Sequence, residues 1–221
     1  MAKKTPNRSD HLRSAVAQEA ARLMAEHGIQ DYYVAKRKAA ERYGVIDGAF
    51  LPRNTEIEAA LLSYQRLFGG TQHESTLQEQ RRVALQAMRL LQEFGPRLVG
   101  PVLHGSATEY ADIQLHVFSD NAEAVAMHLM DRRFEYEVFE RRIRLTPERQ
   151  IQVPSLRFEM GSETVEAFVF PRDGIRQAPV SPVDGKPMRR AAIGETRHRP
   201  ELHQPSSQRR PNTYSPRRNG N

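Results

Sequence analysis

Cysteine is absent from the 221 residues. That excludes disulfides and thiolate zinc sites, and it fits a reducing compartment. Long apolar runs are absent too. Nothing approaches the roughly 20 residues that a membrane-spanning helix needs, so no membrane partner is expected. Lys3, Lys4, Arg8 and Arg13 lie at the start with no apolar stretch behind them, which argues against a secretory signal and for a cytoplasmic location. There is no Gly-x-x-x-x-Gly-Lys-Ser/Thr phosphate loop, no His-x-x-x-His pair and no internal repeat. Hydrophobic residues make up 38% of the chain, below the usual share for a fully packed one, so part of it is expected to stay unpacked.

What charge there is sits unevenly. The formal net charge is +6. From Arg189 to the end there are eight Arg against two Glu, which leaves the rest of the chain with as many acidic as basic residues. The excess belongs to the tail, so net charge says little about nucleic-acid binding by the folded part.

The first 72 residues read as a helical region. Leu12, Val16, Ala20, Leu23 and Met24 share one face of a helix over residues 10–28, with Gly28 as its stop. A second, basic helix over residues 33–43 carries Lys36, Arg37, Lys38 and Arg42 and ends at Gly44. Thr55 and Glu58 have capping-box spacing for a third. Ile57, Leu61, Tyr64 and Phe68 would form its stripe, with Gly69 and Gly70 ending it. A fourth helix is expected over residues 75–94, with Leu77, Ala84, Met88 and Leu91 on one face.

The pattern then changes to strands. Residues 98–104 are apolar and β-prone, although Pro101 is awkward for a central strand. Ile113, Leu115 and Val117 alternate as in a half-buried strand. A short helix is expected over residues 122–130. Strands are expected over 134–139, 151–160 and 164–170, with a turn at Gly161-Ser162. The segment from Gln177 to Met188 reads as an extended arm along the sheet edge. The composition predicts α+β architecture: helices over 1–72, a mixed-sheet domain with its arm over 73–193, and a disordered Arg/Pro-rich tail over 194–221.

The informative stretch is helix, strand, Gly105-Ser106, short loop, then Asp112-Ile113-Gln114-Leu115. From Leu85 to Phe170 the chain resembles the nucleotidyltransferase superfamily, which has a polymerase-β-like fold. That family places a Gly-Ser turn after the first strand, Asp-x-Asp or Asp-x-Glu on the second, and a third carboxylate on a later strand. The resemblance implies that Gly105 and Ser106 approach nucleotide phosphates. It makes Asp112 and Glu166 the metal-binding, catalytic carboxylates, with Mg²⁺ as the cofactor. The physical logic is that residues i and i+2 of a strand share a face, where paired acids can hold Mg²⁺. Gln114 departs from the pattern where the second acid should stand. It can offer a cation or nucleotide a neutral oxygen but no charge, which implies nucleotide binding with weak or lost transfer. His116, two residues further on, is a conceivable substitute ligand, though better suited to transition metals. The whole chain is also similar to a group of short proteobacterial proteins that share the layout and an Ala-Lys-Arg-Lys-Ala-Ala segment, here Ala35 to Ala40.

A second class of function stays open. Residues 21–28 followed by 39–45 resemble the start of a TetR-type helix-turn-helix, with Lys36, Arg37, Lys38 and Arg42 meeting phosphates. The Arg-rich tail would add salt-sensitive RNA or DNA contacts. On that reading the chain is a nucleic-acid-binding or regulatory protein rather than an enzyme.

Overall fold

In the computed structural model the described residues are 8–45, 48–146 and 148–197. They form an α+β chain in which N-terminal helices precede a five-stranded mixed sheet.

Helices α1 (Arg8–His27), α2 (Tyr32–Arg42) and α3 (Asn54–Tyr64) bury one small core. Val16, Ala20 and Met24 of α1 meet Ala35 and Ala39 of α2 and Ile57 and Leu61 of α3. The alanines bring the helix axes close. Asp31 caps α2 by accepting from the Val34 amide at 2.9 Å. The cap of α3 differs from the expected Thr55/Glu58 pair. Extended Arg53 precedes the helix, and its amide donates to Glu56 at 2.6 Å. Glu58 instead accepts from the Tyr32 hydroxyl.

Past Tyr64 the chain continues through a π-helical stretch, Gln65–Gly69, and breaks at Gly70 as expected, where φ is +49° and ψ −144°, before running on as α4 (Gly70–Leu90). Gln65, four residues after buried Leu61, still faces inward, and past it Leu67 and Phe68 turn outward, to 76% and 72% exposure. The predicted stripe therefore stops short of Phe68.

Strand β1 (Arg97–Val99) is shorter than the apolar run from Leu98 suggests. Gly100 takes φ +71°, and Pro101 then begins a short helix, α5 (Gly100–His104). Proline suits a first helical turn because that N–H has no intrahelical partner. A Cβ at Gly100 would displace the flexible end of the Gln114 side chain, but it is the positive φ that favours glycine there. The remaining elements are β2 (Ile113–Phe118), α6 (Ala122–Asp131), β3 (Tyr136–Arg144), β4 (Gln150–Met160), β5 (Glu163–Phe170) and α7 (Ile193–Arg197).

The sheet order is β1-β2-β5-β4-β3. β2 and β5 are parallel and the other neighbours antiparallel. The inner face carries Ile113, Leu115, Val117, Leu156, Phe158, Val165, Ala167 and Val169. It packs against Ala84, Ala87, Met88 and Leu91 of α4 and its C-terminal end, and against Val125 and Leu129 of α6. Alternate residues of the same strands form the outer face.

The arm after β5 runs from one sheet edge to the other. The Val180 amide donates to the Arg144 carbonyl of β3 at 2.8 Å, and Ala191 exchanges two hydrogen bonds of 2.9 Å with Leu98 of β1. Between them Arg190 lies over the Phe118 and Phe170 rings and donates to Gly174 and His116. The first residues of the tail expected from Gly194 are instead helical, because α7 includes Gly194–Arg197. Its hydroxyl-bearing Thr196 donates back to the Ala192 carbonyl at 3.0 Å. The rest of that predicted tail lies outside the described residues. No helix among the described residues is long and apolar enough to cross a membrane.

Candidate functional site

The Gly-Ser turn sits where α5 ends. Gly105 adopts φ +89°, and its amide and that of Ser106 both donate to the Pro101 carbonyl, at 2.7 and 3.1 Å. Those two N–H groups close the helix in this conformation and do not point into a phosphate cradle. Ser106 is buried. The loop that follows is held by two helix glutamines. Gln65 donates to the Ser106 and Ala107 carbonyls at 3.0 and 3.1 Å, and Gln80 to Thr108 at 2.9 Å. Gln80 was visible in the sequence as a polar residue within an apolar helical stripe. Gln65 was visible by the same rule, four residues after Leu61 of the expected stripe.

The loop delivers Asp112 to the start of β2. In the sheet register Gln114 pairs with Glu166, and Glu166 pairs with Arg157. Asp112, Gln114 and Glu166 therefore share the outer face, as period-two alternation requires. Glu166 is 2% exposed and Asp112 9%. Buried acids need neutralising partners, and two arginines supply them. Arg141 of β3 reaches Glu166 through Nε at 2.6 Å and a second nitrogen at 3.4 Å. Arg157 of β4 pairs with Asp112. The hydrogen bond to Asp112 raises the Arg157 pKa above the ordinary arginine value, with smaller electrostatic help from Asp112, Glu166 and Glu137.

Each ion pair skips a strand. Arg141 lies beside Val153 and Glu166 beside Arg157, so their bridge passes over β4 at Ser155. The bridge from Arg157 to Asp112 passes over β5. Phe139, half-buried on β3, lies 4.7 Å from the Arg141 guanidinium and 6.0 Å from that of Arg157. Two polar atoms in this cluster make no hydrogen bond: Ser155 Oγ, on a residue with 0% exposure, and Arg157 Nε.

The residues as arranged do not fit a magnesium ion. Mg²⁺ takes an octahedron of oxygens. Here both acids are committed to guanidinium groups, Gln114 adds no charge and abuts Gly100, and two positive charges stand where a cation would approach. Among the described residues no group of three His, Asp or Glu side chains is placed to hold a metal. His116 does not substitute. It shares the outer face, but its Nδ1 accepts from Arg190 Nε at 2.9 Å, and burial, with the nearby Arg190 charge, pushes its pKa down to about 3.

Arg141, Arg157, Phe139 and Ser155 were not singled out in the sequence. The usable signal was a charged residue between buried neighbours in a strand. Arg157 lies between Leu156 and Phe158, and Glu166 between Val165 and Ala167. The basic residues of α2 divide. Lys36 donates to the Pro52 carbonyl at 2.9 Å and Arg42 pairs with Glu19 at 2.9 Å, whereas Arg37 and Lys38 are exposed beside Tyr33.

Comparison with family models, curated proteins and solved structures finds no match for this chain.

Proposed function

We propose that this chain is a nucleotidyltransferase-like protein that binds a nucleotide on the outer face of its sheet, around Gly105, Ser106, Asp112, Gln114 and Glu166, and has lost nucleotidyl transfer. The observation that carries the reading is the parallel β2–β5 register. It sets Gln114 beside Glu166, with Asp112 on the same face and the Gly-Ser turn leading into β2. A Gly-Ser turn and an acid-bearing strand beside a later acid-bearing strand match what the family resemblance implies, although the short helix α5 stands between β1 and the turn. Loss of transfer follows from the chemistry of the acids. Phosphoryl-group transfer in such a fold depends on cations held by clustered carboxylates, and here both carboxylates neutralise arginines. A cytoplasmic location goes with this reading, because nucleotides are intracellular ligands.

Calorimetric titration of the full chain with ATP and GTP, alongside incubation with α-labelled ATP, tests it. Nucleotide binding without label transfer to the protein or an added acceptor is the expected result. The competing reading rests on Tyr33, Arg37 and Lys38, exposed together on α2. It would prevail if no nucleotide bound and salt-sensitive RNA or DNA binding disappeared in an Arg37→Gln/Lys38→Gln variant.

A further inference from the structure

We propose that Arg141 and Arg157, rather than a metal ion, take the phosphate groups of the ligand, that Phe139 receives its aromatic ring, and that Asp112 and Glu166 orient the two guanidiniums. The identity of the ligand as a nucleotide rests on the function proposed above. The roles of the residues rest on the geometry of the outer face.

A guanidinium carries five N–H donors in a planar fork, so a carboxylate bound along one edge leaves others for a second anion. Arg141 gives Glu166 its Nε and one terminal nitrogen, and its side chain is still 47% exposed. Arg157 gives Asp112 one terminal nitrogen, and its Nε has no partner. Both acids lie beneath, buried, and the arginines lie above them, half-exposed. A buried acid under an exposed arginine fixes the direction of the fork without consuming it. That preorganisation lowers the entropy cost of binding a phosphate. A divalent cation would meet the opposite situation, two positive charges in its path.

The unpartnered donors point to the same place. Ser155 Oγ lies under the Arg141–Glu166 bridge, next to Arg157 on the same strand face. Buried polar atoms without hydrogen bonds are few in native proteins, and each asks for an explanation. Both atoms are themselves enclosed, on adjacent same-face positions of one strand, so the groups a phosphate would meet are the half-exposed Arg141 and Arg157 side chains above them. Phe139 completes the site. Its ring is already held against both guanidiniums, and one side chain therefore places an aromatic platform next to two phosphate donors. A nucleoside phosphate is the ligand class that needs both.

The experiment is a titration of the full chain with ATP, inorganic pyrophosphate and adenosine, each in Mg²⁺ and in EDTA. ATP should bind with equal affinity in both. Arg141→Lys and Arg157→Lys keep the charge over the buried acid but lose the fork, and each should weaken ATP about tenfold or more. Phe139→Leu should weaken ATP several-fold and leave pyrophosphate unchanged. If a lysine variant does not fold, Arg141→Gln/Glu166→Gln removes the cation and its partner together and carries the same expectation. ATP binding that requires Mg²⁺, falls in Asp112→Asn and is untouched by the lysine variants overturns this inference and leaves the nucleotide reading standing. Binding of pyrophosphate without ATP overturns the role of Phe139 and the nucleotide reading. Binding of neither ligand overturns both proposals.

Discussion

The two faces of the sheet are built by alternate residues of the same strands, yet they are held by different forces. On the inner face Ile113, Leu115, Val117, Val165, Ala167 and Val169 are apolar, buried and covered by α4 and α6. Their contribution is area removed from water, and it does not depend on any one partner. The outer face is divided: Phe118, Val153, Phe168 and Phe170 bury an apolar cluster at one end, with His116 and Arg190 coupled beside it, while at the other Asp112, Glu166, Arg141 and Arg157 are held pairwise. There the contribution depends on each partner being present. The inner face is tolerant in identity and intolerant in volume. The ion-paired end of the outer face is the reverse, which is where binding chemistry can be placed.

The sharpest contrast comes from truncating each face. Leu115→Ala removes a fully buried side chain beneath the helices and should cost about 2–5 kcal/mol in urea unfolding. Arg141→Gln leaves Glu166 buried with its cation gone. The arginine is half-exposed and water can reach the site, so the cost should be about 1–3 kcal/mol, between surface and buried pairs. The double variant Arg141→Leu/Glu166→Leu removes both charges and should recover most of that loss. If the double variant is as unstable as the single, the outer face is held by packing and the comparison between the faces collapses.

The alternation of Ile113, Leu115 and Val117 made the inner face legible from sequence, because burial against a helix layer is a local, period-two requirement. The same alternation shows that Arg157 and Glu166 point away from the helices. It does not show that Arg157 reaches Asp112, 45 residues earlier, since that choice depends on strand order and register. Strand order was not readable. The β2–β5 pairing joins segments separated by a helix and a hairpin. Pro101 correctly signalled that residues 98–104 were no ordinary strand, and the helix it begins shortens β1 to three residues. Phe68 misled for a different reason. A helical wheel assumes a constant turn, and the π stretch at Gln65–Gly69 breaks that assumption.

A smaller effect separates the faces by pH. At the margin of the inner face burial raises the Glu163 pKa, while on the outer face burial and Arg190 push the His116 pKa down to about 3. A free histidine titrates near 6.5. Between these values the unfolded chain binds a proton that the folded one refuses, so the His116 contribution is complete above about pH 6.5 and is lost as pH falls towards 3. Native protein should therefore lose unfolding free energy on acidification through this window. His116→Gln retains an acceptor for Arg190 without the titration, so its stability should vary less with pH. Equal pH slopes for the two proteins would show that His116 is not the group responsible.

The smallest expected effect is also the most discriminating for the site. Gln114 stands between Asp112 and Glu166 on the outer face, with its amide against Gly100. Gln114→Asp restores the acid that the family resemblance leads one to expect. If the carboxylates were a metal seat that merely lacks one charge, the substitution should create Mg²⁺ or Mn²⁺ binding, seen as a rise in melting temperature on adding either ion. The ion pairs argue otherwise. Asp112 and Glu166 already have cations within hydrogen-bond reach, and a third acid would be drawn to Arg157 or Arg141 before it met a hydrated metal. The shorter side chain also withdraws from Gly100, so a modest cost of under about 1 kcal/mol is expected, in the range of ordinary surface substitutions. Melting should thus shift slightly downward, and neither ion should restore it. A clear metal-dependent rise in this variant would mean that the arginines yield to a cation and that the outer face is a metal site one charge short. A rise confined to Gln114→Asp/Arg157→Gln, and absent from Gln114→Asp alone, would locate the obstacle in the Arg157 guanidinium, as the geometry requires.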